Sequence, residues 1–439
     1  MKRTRLHDRR TILTGIAAVS AMHAFGMRDA FAAQDDGAFL DRLYSNATGI
    51  PRSESSGLAT ASYSCRPPTR EQLDWYVLPE GKRPAVSWPT DAQSVDYAHL
   101  QSFTAGDQEF ELSSAILEFI CVRNSFEIAA DKIVAFGLRG CKLSSNGDDS
   151  GWGASHRLKT VRPNHRNRNC LIGVWDRDRD STRLFAGSTV PEATYMYAFA
   201  NSFCADPQYR VGCNMMLTGL YKFEVGQHPR GARPRGHTHY QPGALLEAGP
   251  VAYIRTTVKL EYNPTLPNSI LEFDTVGNNI HAGGSPPSPC AVGSGCEQIA
   301  EFSSAGCQVV SGDYSNNIEP EGSWREFRLA LGLSNPPDPR ENKRQFHYFL
   351  VTGDDAYIAS QQSQTVLNEY WRYRPGSSGH RVLLLQKRLL SLKQVARTFV
   401  PDAAFGRQTF LGVINLQQCR NILPGSAVDD QLTSQMCSA

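Results

Sequence analysis

Apolar residues recur at two different spacings along the chain. In "FELSSAILEFICVRNSFE" (residues 110–127) they fall at helical intervals and predict a helix, whereas "KIVAFGLRGC" (132–141) predicts a strand. The stretch "WDRDRDSTRLFAGST" (175–189) predicts two strands joined by a charged turn. Glycine and proline are plentiful and no long heptads occur. These patterns favour a loop-rich, mostly β (α+β) fold over a helical bundle.

Further helices are predicted in the C-terminal half. Trp324, in "EGSWREFRLALGL", is expected to begin a helix and to pack in the core. Two later sets of positions share a helical spacing: Val382, Leu385 and Leu389, and then Thr409, Val413 and Leu416. Between these sets, "DAAFG" (402–406) predicts a tight turn, in which Gly406 permits an unusual φ.

The N-terminal residues 1–32 predict an export signal rather than part of the fold. They have a basic start, a short apolar middle and an A-x-A-like cleavage site at Ala30-Phe31-Ala32. Arg9-Arg10 stand just before the apolar run, as in twin-arginine signals, although an ordinary export signal with two arginines is the alternative. Either signal predicts a protein that leaves the cytoplasm for the periplasm or cell wall.

Charge and hydropathy narrow the classes of partner. Basic residues exceed acidic ones by two, but residues 1–32 hold six Lys or Arg and two Asp or Glu, so the mature chain is near −2. No general basic field is present, which argues against nucleic-acid binding. No stretch reaches the roughly 18 consecutive apolar residues of a membrane span. The sequence does not indicate an oligomeric state.

The 11 cysteines all follow the predicted leader. Disulfides persist outside the cytoplasm, and an odd count leaves at least one thiol, so five bridges and one thiol are the simplest expectation. Cys290 and Cys296 lie in a Gly-rich loop and are expected to form a local bridge. No C-x-x-C spacing indicates a metal site.

Cys307 is the expected remaining thiol, and His281 its expected partner. "SSAGC" presents the cysteine after small residues, which let backbone N–H groups approach a substrate carbonyl. An imidazole beside a thiol is expected to lower the pKa of the thiol and to give a thiolate nucleophile. On residue types alone, a buried structural cysteine and an unrelated histidine are the favoured interpretation.

"IHAGG" followed by "SSAGCQVV" resembles the catalytic domain of the L,D-transpeptidase family, which carries a His-x-Gly-like segment and then a Ser-x-Gly-Cys segment. Upstream stretches such as "LIGVWDRD", "LFAGSTVP" and "GPVAYIRTT" extend the resemblance over about 160–350. The resemblance implies a β-sandwich or barrel catalytic domain that performs cysteine acyl transfer on peptidoglycan stem peptides.

The resemblance also implies a role for each motif residue. Cys307 would be the nucleophile and His281 the general base. A backbone carbonyl near Ser304 would orient the imidazole, and the N–H groups around Gly306 and Cys307 would hold the oxyanion. Gly283 would help to line the substrate site. This chemistry requires no metal or organic cofactor.

Other residues are expected to contact substrate, and one departs from the family. Gly284, His239 and Tyr240 are predicted to line the pocket; a zinc site at His237 and His239 would need a third ligand, which the sequence does not show. Family members often carry an arginine two positions after the cysteine, where this chain has Val309.

The stretch "PGSSGHRVLLLQKRLLSLKQVARTFVPDAAFGRQTFLGVINLQQ" (375–418) resembles the small three-helix peptidoglycan-binding domain. Any amphipathic helical hairpin is the alternative. Cys419 follows the last "LQQ", and a bridge to Cys437 is a possible arrangement. With the catalytic motif, this module makes peptidoglycan the expected partner.

The expected organisation has four parts: an export signal (1–32), an N-terminal α/β cap (33–155), an L,D-transpeptidase-like catalytic domain (156–360) and a helical peptidoglycan-binding-like module (370–425). The expected activity is L,D-transpeptidation. A hydrolase on the same Cys-His site, acting as carboxypeptidase or endopeptidase, is the first alternative. A non-catalytic peptidoglycan-binding protein is the second.

Overall fold

The computed structural model describes residues 108–128, 130–192, 213–228, 241–255, 271–284, 301–316, 318–361, 372–422, 425 and 427–428. The expected export signal, most of the expected cap, His239 and Tyr240 lie outside the described residues, as do Cys290 and Cys296. The described part is mostly β, as predicted, and contains an eight-stranded closed barrel.

Sixteen strands are present among the described residues: β1 (Glu109–Ser113), β2 (Ile133–Arg139), β3 (Cys141–Leu143), β4 (Ser155–Thr160), β5 (Cys170–Asp176), β6 (Ser181–Ser188), β7 (Asn214–Met216), β8 (Gly219–His228), β9 (Gln241–Glu247), β10 (Val251–Arg255), β11 (Leu271–Asp274), β12 (Ile280–Ala282), β13 (Gln308–Val310), β14 (Asp313–Ser315), β15 (Glu319–Glu321) and β16 (Gln345–Thr352). The α-helices of the same residues are α1 (Ser114–Arg123), α2 (Gly322–Ala330), α3 (Gly353–Ser360), α4 (His380–Ser391) and α5 (Arg407–Cys419), and a 3₁₀ turn spans Pro339–Glu341.

The barrel runs in the order β12-β13-β6-β5-β2-β16-β8-β9. Two neighbouring pairs are parallel, β12 with β13 and β2 with β16, and the other pairs are antiparallel. The barrel closes where Ile280 of β12 pairs with Leu245 of β9. The parallel β12–β13 pair brings the segments that contain His281 and Cys307 side by side.

Strand β2 shows why the chain forms this barrel. Side chains alternate across a strand, so Ala135 joins the core inside the barrel while Val134, Phe136 and Leu138 join a second core outside it. A strand covered on both faces is mostly apolar, as the first six residues of "IVAFGLR" are. The predicted strand at 132–141 is therefore confirmed, and it belongs to the barrel although it lies within the segment expected to form the cap.

The helix observed in the segment 110–127 is shorter than the helix that the apolar spacing of this segment predicts. Its first residues form β1, in which Phe110 pairs with Leu158 of β4, and the helix α1 begins at Ser114. The pairing partner lies far along the chain, so local periodicity does not reveal the strand. β1, β4 and β3 form a small sheet, on which α1 and α3 pack. The expected α/β character of this region is present in the described residues.

The C-terminal segment forms α4 and α5, with the predicted apolar positions buried. The described residues 372–422 contain these two helices and not the three expected. The buried Gln386 side chain holds the loop between them, because its Oε1 accepts from the amides of Asp402 and Ala403 at 2.9 Å each. The unusual φ lies at Ala403 (+63°), whereas Gly406 is extended at −94°, so the expectation for Gly406 was wrong.

The two helices lie in one apolar cluster with residues of the separate sheet β11-β10-β7 and with the segment that ends at Cys307. One apolar cluster contains Phe302 and Cys307 together with Leu389, Phe410 and Val413. The ring of Phe410 also lies 5.9 Å from that of Phe273 in β11. Elsewhere, Trp324 lies near the start of α2 and is fully buried, as predicted. Within the described part of the chain, no helix has the length and apolar character that crossing a membrane would require.

Candidate active site

The barrel brings His281 and Cys307 together. His281 is the middle residue of β12 and pairs with Val309 of the parallel strand β13, which begins directly after Cys307. One ring nitrogen of His281 lies within 4.8 Å of the Cys307 sulfur. Val309, at the position where the family resemblance suggests arginine, is a buried core residue. The predicted thiol–imidazole pair is thus adjacent in space.

A tight turn presents the cysteine. Ser304 Oγ accepts a hydrogen bond from the Gly306 amide at 3.1 Å and donates one to the Cys307 carbonyl at 2.8 Å. Gly306 has a φ of +139°, and a Cβ there would lie 2.4 Å from the carbonyl oxygen of Asn214. Ser304 and Gly306 therefore shape the turn that holds Cys307. The Gly306 amide is already bonded to Ser304 Oγ, so it is not a free donor as the resemblance implied.

His281 is held as a neutral imidazole. Its Nδ1 lies 2.7 Å from the carbonyl oxygen of Ala282, which can only accept, so Nδ1 carries the proton and Nε2 keeps its lone pair. Burial lowers the pKa of His281 to about 4. The orienting carbonyl is that of Ala282 and not one near Ser304, which corrects the sequence-based expectation: the ring is oriented within its own strand.

Cys307 is a protonated thiol in this structure. Burial raises the pKa of Cys307 to about 12. The nearby Glu247 charge also raises this pKa, whereas a hydrogen bond with the backbone amide of Asn279 lowers it. The thiol donates to the carbonyl oxygen of Gly277 at 3.4 Å. The expected lowering of the thiol pKa by His281 does not occur, because removal from water disfavours both charged forms. The resting pair is neutral thiol and neutral imidazole.

Glu247 organises the loop that leads into β12. Its buried carboxylate accepts from the amides of Val276, Gly277 and Asn278 at 2.7–2.8 Å. An ionised carboxylate is acceptor-only, so three N–H donors suit it. The loop it fixes carries the Gly277 carbonyl that receives the thiol hydrogen. Sequence reasoning missed Glu247, since no local pattern links it to residues about thirty positions away.

His228, the last residue of β8, is a second imidazole at the site that the sequence did not reveal. Its ring is stacked on that of His281, with centroids 4.4 Å apart and planes inclined by 9°. The Asn279 side-chain amide lies 2.9 Å from its Nδ1. No role was predicted for this residue from the sequence, because β8 and β12 come to flank the same strand, β9, only when the barrel closes.

His228, His281 and Cys307 also offer nitrogen and sulfur atoms that all lie within 4.8 Å of one another, a donor set that suits Zn²⁺. An imidazole lone pair lies in the plane of its ring, and zinc binds about 2 Å from the nitrogen. Two rings stacked in nearly parallel planes do not direct both lone pairs at one ion. The geometry therefore fits acid–base chemistry better than metal binding.

The glycines expected to line the substrate site have other partners. The Gly283 amide donates to the Val310 carbonyl at 2.7 Å, and the Gly284 amide donates to the Gly312 carbonyl at 2.9 Å. Their N–H groups tie the residues after β12 to the end of β13 and to the residue two positions beyond it, and do not point to a ligand. His239 and Tyr240, the other expected contacts, lie outside the described residues.

The cysteine inventory differs from the expectation of five bridges. Five buried cysteines are present as thiols: Cys121, Cys141, Cys170, Cys213 and Cys307. Buried cysteine behaves as a small apolar residue, and four of these five are almost completely buried in the core. Cys419 is disulfide-bonded, and its expected partner Cys437 lies outside the described residues. With these five cysteines present as thiols, the other six of the 11 cysteines can form at most three bridges.

No protein-family model matches this chain, and no curated protein or solved structure matches it either.

Proposed function

We propose that this protein is an exported cell-wall enzyme that attacks peptidoglycan stem peptides through the Cys307 thiol and passes the acyl group to an amine, as in L,D-transpeptidation. The observation that carries the proposal is the adjacency of Cys307 and His281 across the parallel strands β12 and β13. A thiol and an imidazole brought together in this way form the nucleophile–base pair of cysteine acyl transfer.

The neutral forms of Cys307 and His281 support the following order of proton transfers in the proposed reaction. The neutral Cys307 thiol turns from the Gly277 carbonyl to the His281 Nε2 lone pair and transfers its proton as the sulfur attacks the peptide carbonyl. The C–S bond forms, the tetrahedral intermediate collapses, and the leaving amine takes the proton from His281. An incoming amine then attacks the thioester and gives its proton to His281, the C–S bond breaks as the new amide forms, and His281 returns the proton to the Cys307 sulfur. A solvated thiolate is never needed.

The substrate and the location rest on the sequence resemblances. The Ser-x-Gly-Cys and His motifs resemble those of L,D-transpeptidases, and the C-terminal segment resembles a peptidoglycan-binding module. Residues of α4 and α5 belong to the same apolar cluster as Cys307, which supports a joint role for the two parts. The basic leader with Arg9-Arg10 supports export to the periplasm or cell wall.

Product analysis tests this function and separates it from its alternatives. The mature protein and Cys307→Ser are incubated with defined tetrapeptide and pentapeptide muropeptides, and the products are read by mass. Crosslinked dimers formed by wild type and absent with the variant support transpeptidation. Shortened stems support the hydrolase instead. Unchanged muropeptides that remain bound to both proteins favour the non-catalytic binding protein and contradict the proposal.

A further inference from the structure

The turn that presents Cys307 leaves the proposed reaction one hydrogen-bond donor short. The carbonyl oxygen of the substrate gains negative charge in the tetrahedral intermediate, and acyl-transfer enzymes stabilise it with aimed N–H donors. The Gly306 amide is bonded to Ser304 Oγ. Among the described residues, no group accepts from the Cys307 amide, which leaves it as one donor. A second donor has to come from another element near the sulfur.

The three residues that precede β12 lie against the Cys307 sulfur. The thiol donates to the carbonyl oxygen of Gly277 at 3.4 Å, and a hydrogen bond with the backbone amide of Asn279 lowers the pKa of the thiol. The Asn279 amide also donates to the Gly277 carbonyl oxygen at 2.8 Å, so Asn278 is the central residue of a three-residue turn. Both chain neighbours of Asn278 therefore contact the proposed nucleophile through their backbone.

The side-chain amide of Asn278 lies beside the turn that holds the cysteine. Its Oδ1 is 3.0 Å from the position that a Cβ on Gly306 would occupy, and Gly306 directly precedes Cys307. Nδ2 is bonded to the same carbon as Oδ1, so it also lies close to this turn. The backbone of Asn278 is held in place, because its amide donates to Glu247 Oε1 at 2.7 Å.

The Nδ2 group of Asn278 is a buried donor without an acceptor among the described residues. Asn278 is only 2% exposed, so bulk water does not supply the missing acceptor. Buried polar side-chain atoms nearly always have a partner, and leaving a donor unpaired costs stability. Asn124, which is also buried, follows the rule, since its Nδ2 donates to the Ile120 carbonyl oxygen at 2.8 Å. The exception at Asn278 therefore lies beside the proposed nucleophile, where a substrate can supply the acceptor.

We propose that Asn278 is a catalytic residue of the acyl transfer, whose Nδ2–H donates a hydrogen bond to the carbonyl oxygen of the scissile peptide as that oxygen becomes an oxyanion. The Cys307 amide is the other donor. The proposal rests on the acyl-transfer function proposed above. Asn278 keeps its protons throughout: the thiol proton passes to His281 and then to the leaving amine. Cys307 is itself only 8% exposed, so a substrate that gains access to the sulfur also enters the buried surroundings of Asn278.

Two matched substitutions separate a donor to substrate from a structural amide. Asn278→Leu keeps the branched shape of the side chain and removes the unpaired donor, whereas Asn124→Leu removes a donor that is bonded within the protein. Each full-length mature variant is mixed with a disaccharide-tetrapeptide muropeptide, and single-turnover acylation is followed by intact mass. Alkylation of Cys307 by iodoacetamide is measured in parallel, since that reaction forms no oxyanion. The urea midpoint of unfolding is the third readout.

The donor role predicts that Asn278→Leu slows acylation by about 10²–10³-fold while alkylation remains close to wild type. Its urea midpoint should be equal to that of wild type or higher, because the lost donor has no partner in the described part of the protein. Asn124→Leu should show the reverse: a lower urea midpoint, because a bonded donor is lost, and acylation and alkylation rates of the folded protein close to wild type.

Three results would count against the account. Acylation of Asn278→Leu at the wild-type rate overturns the proposal. A lower urea midpoint with parallel falls in acylation and alkylation also overturns it, since Asn278 would then support the structure, directly or through a buried water. Wild type that is alkylated but never acylated refutes the acyl-transfer function itself.

A second variant covers the case in which the Asn278→Leu protein does not fold. Asn278→Ala removes the same donor without placing methyl groups beside Gly306. The donor role predicts that its acylation is slower by at least about tenfold while its alkylation is not slowed. Equal acylation by Asn278→Ala and wild type, or a parallel fall in acylation and alkylation, would contradict the donor role.

Discussion

The imidazole rings of His228 and His281 are stacked, with centroids 4.4 Å apart and planes inclined by 9°. The rings come from β8 and β12, which both flank β9 in the barrel. Closure of the barrel, and not local sequence, therefore creates the arrangement. The Nδ1 of His281 lies beside a backbone carbonyl and the Nδ1 of His228 beside the Asn279 side-chain amide, so the two neutral rings carry their protons on different nitrogens.

The thiol of Cys307 should be alkylated with the pH dependence of a buried, protonated thiol. Burial raises its pKa to about 12, so the thiolate fraction rises about tenfold for each pH unit below that value. We expect the iodoacetamide rate at Cys307, located by peptide mapping against Cys307→Ser, to keep rising between pH ~7 and ~10. A rate that reaches a plateau near neutral pH would show a thiolate–imidazolium ion pair instead.

Gly306→Ala should destabilise the turn that presents the nucleophile. The new Cβ would lie 2.4 Å from the Asn214 carbonyl oxygen, at a φ of +139°. We expect a loss of about 2–5 kcal/mol in the free energy of unfolding, measured with urea. Gly249→Ala is the matched control, because a Cβ there meets nothing within 4 Å. Similar losses for the two variants would show that Gly306 has no special steric role.

Glu247→Gln should loosen the loop before β12 and at the same time make the thiol more acidic. The amide side chain cannot accept from all three backbone N–H groups, which costs about 1–3 kcal/mol of folding stability. Loss of the negative charge lowers the pKa of Cys307, since the Glu247 charge raises it. Urea unfolding and the alkylation rate measure the two effects.

The exposed Glu319 provides the control for this substitution. Glu319→Gln removes the same charge from a side chain that organises no loop among the described residues, and should leave both quantities near wild type. An unchanged stability in Glu247→Gln would mean that the three amide bonds do not hold the loop.

Acid should destabilise the fold through His165. Burial lowers the pKa of His165 to about 4, from 6.5 in the unfolded chain. The unfolded state binds the proton first as pH falls, so the stability contributed by neutral His165 is present above pH 6.5 and is lost between pH 6.5 and about 4, up to about 3 kcal/mol. Urea unfolding at pH ~7 and pH ~4.5 measures the loss.

His165→Gln removes this titration and should reduce the difference between the two pH values. His281, whose pKa is also lowered to about 4 by burial, contributes to the difference that remains. An identical loss of stability in wild type and His165→Gln would show that His165 is not protonated on unfolding in this range.

The sequence predicts the parts of the fold that depend on local spacing. The apolar run at 132–141, the buried positions of α4 and α5, and the core tryptophan Trp324 all follow from patterns within a few residues. β1 was missed because the strand that pairs with it, β4, is distant in sequence. The φ at Ala403 was assigned to Gly406 because glycine usually takes that conformation, whereas here Gln386 holds the loop from another helix.

Some residues of the candidate site were likewise predicted from local sequence, and others were not. Cys307, Ser304, Gly306 and His281 stand in recognisable motifs, and the structure brings His281 and Cys307 together. His228, Asn279 and Glu247 were not predicted as site residues, since their roles arise from barrel closure and from side-chain bonds to distant backbone. The protonation of the thiol was predicted wrongly because burial, which the sequence does not give, outweighs a neutral neighbouring imidazole.

The most direct test of the account is to trap the acyl-enzyme. The mature protein is mixed with a tetrapeptide muropeptide without an amine acceptor, quenched in acid, and examined by intact mass and peptide mapping. The account predicts a hydroxylamine-sensitive acyl adduct on the peptide that contains Cys307, and no adduct on Cys307→Ser. An adduct on another residue, or no adduct while Cys307 still reacts with iodoacetamide, would contradict the claim that Cys307 is the acyl-transfer nucleophile.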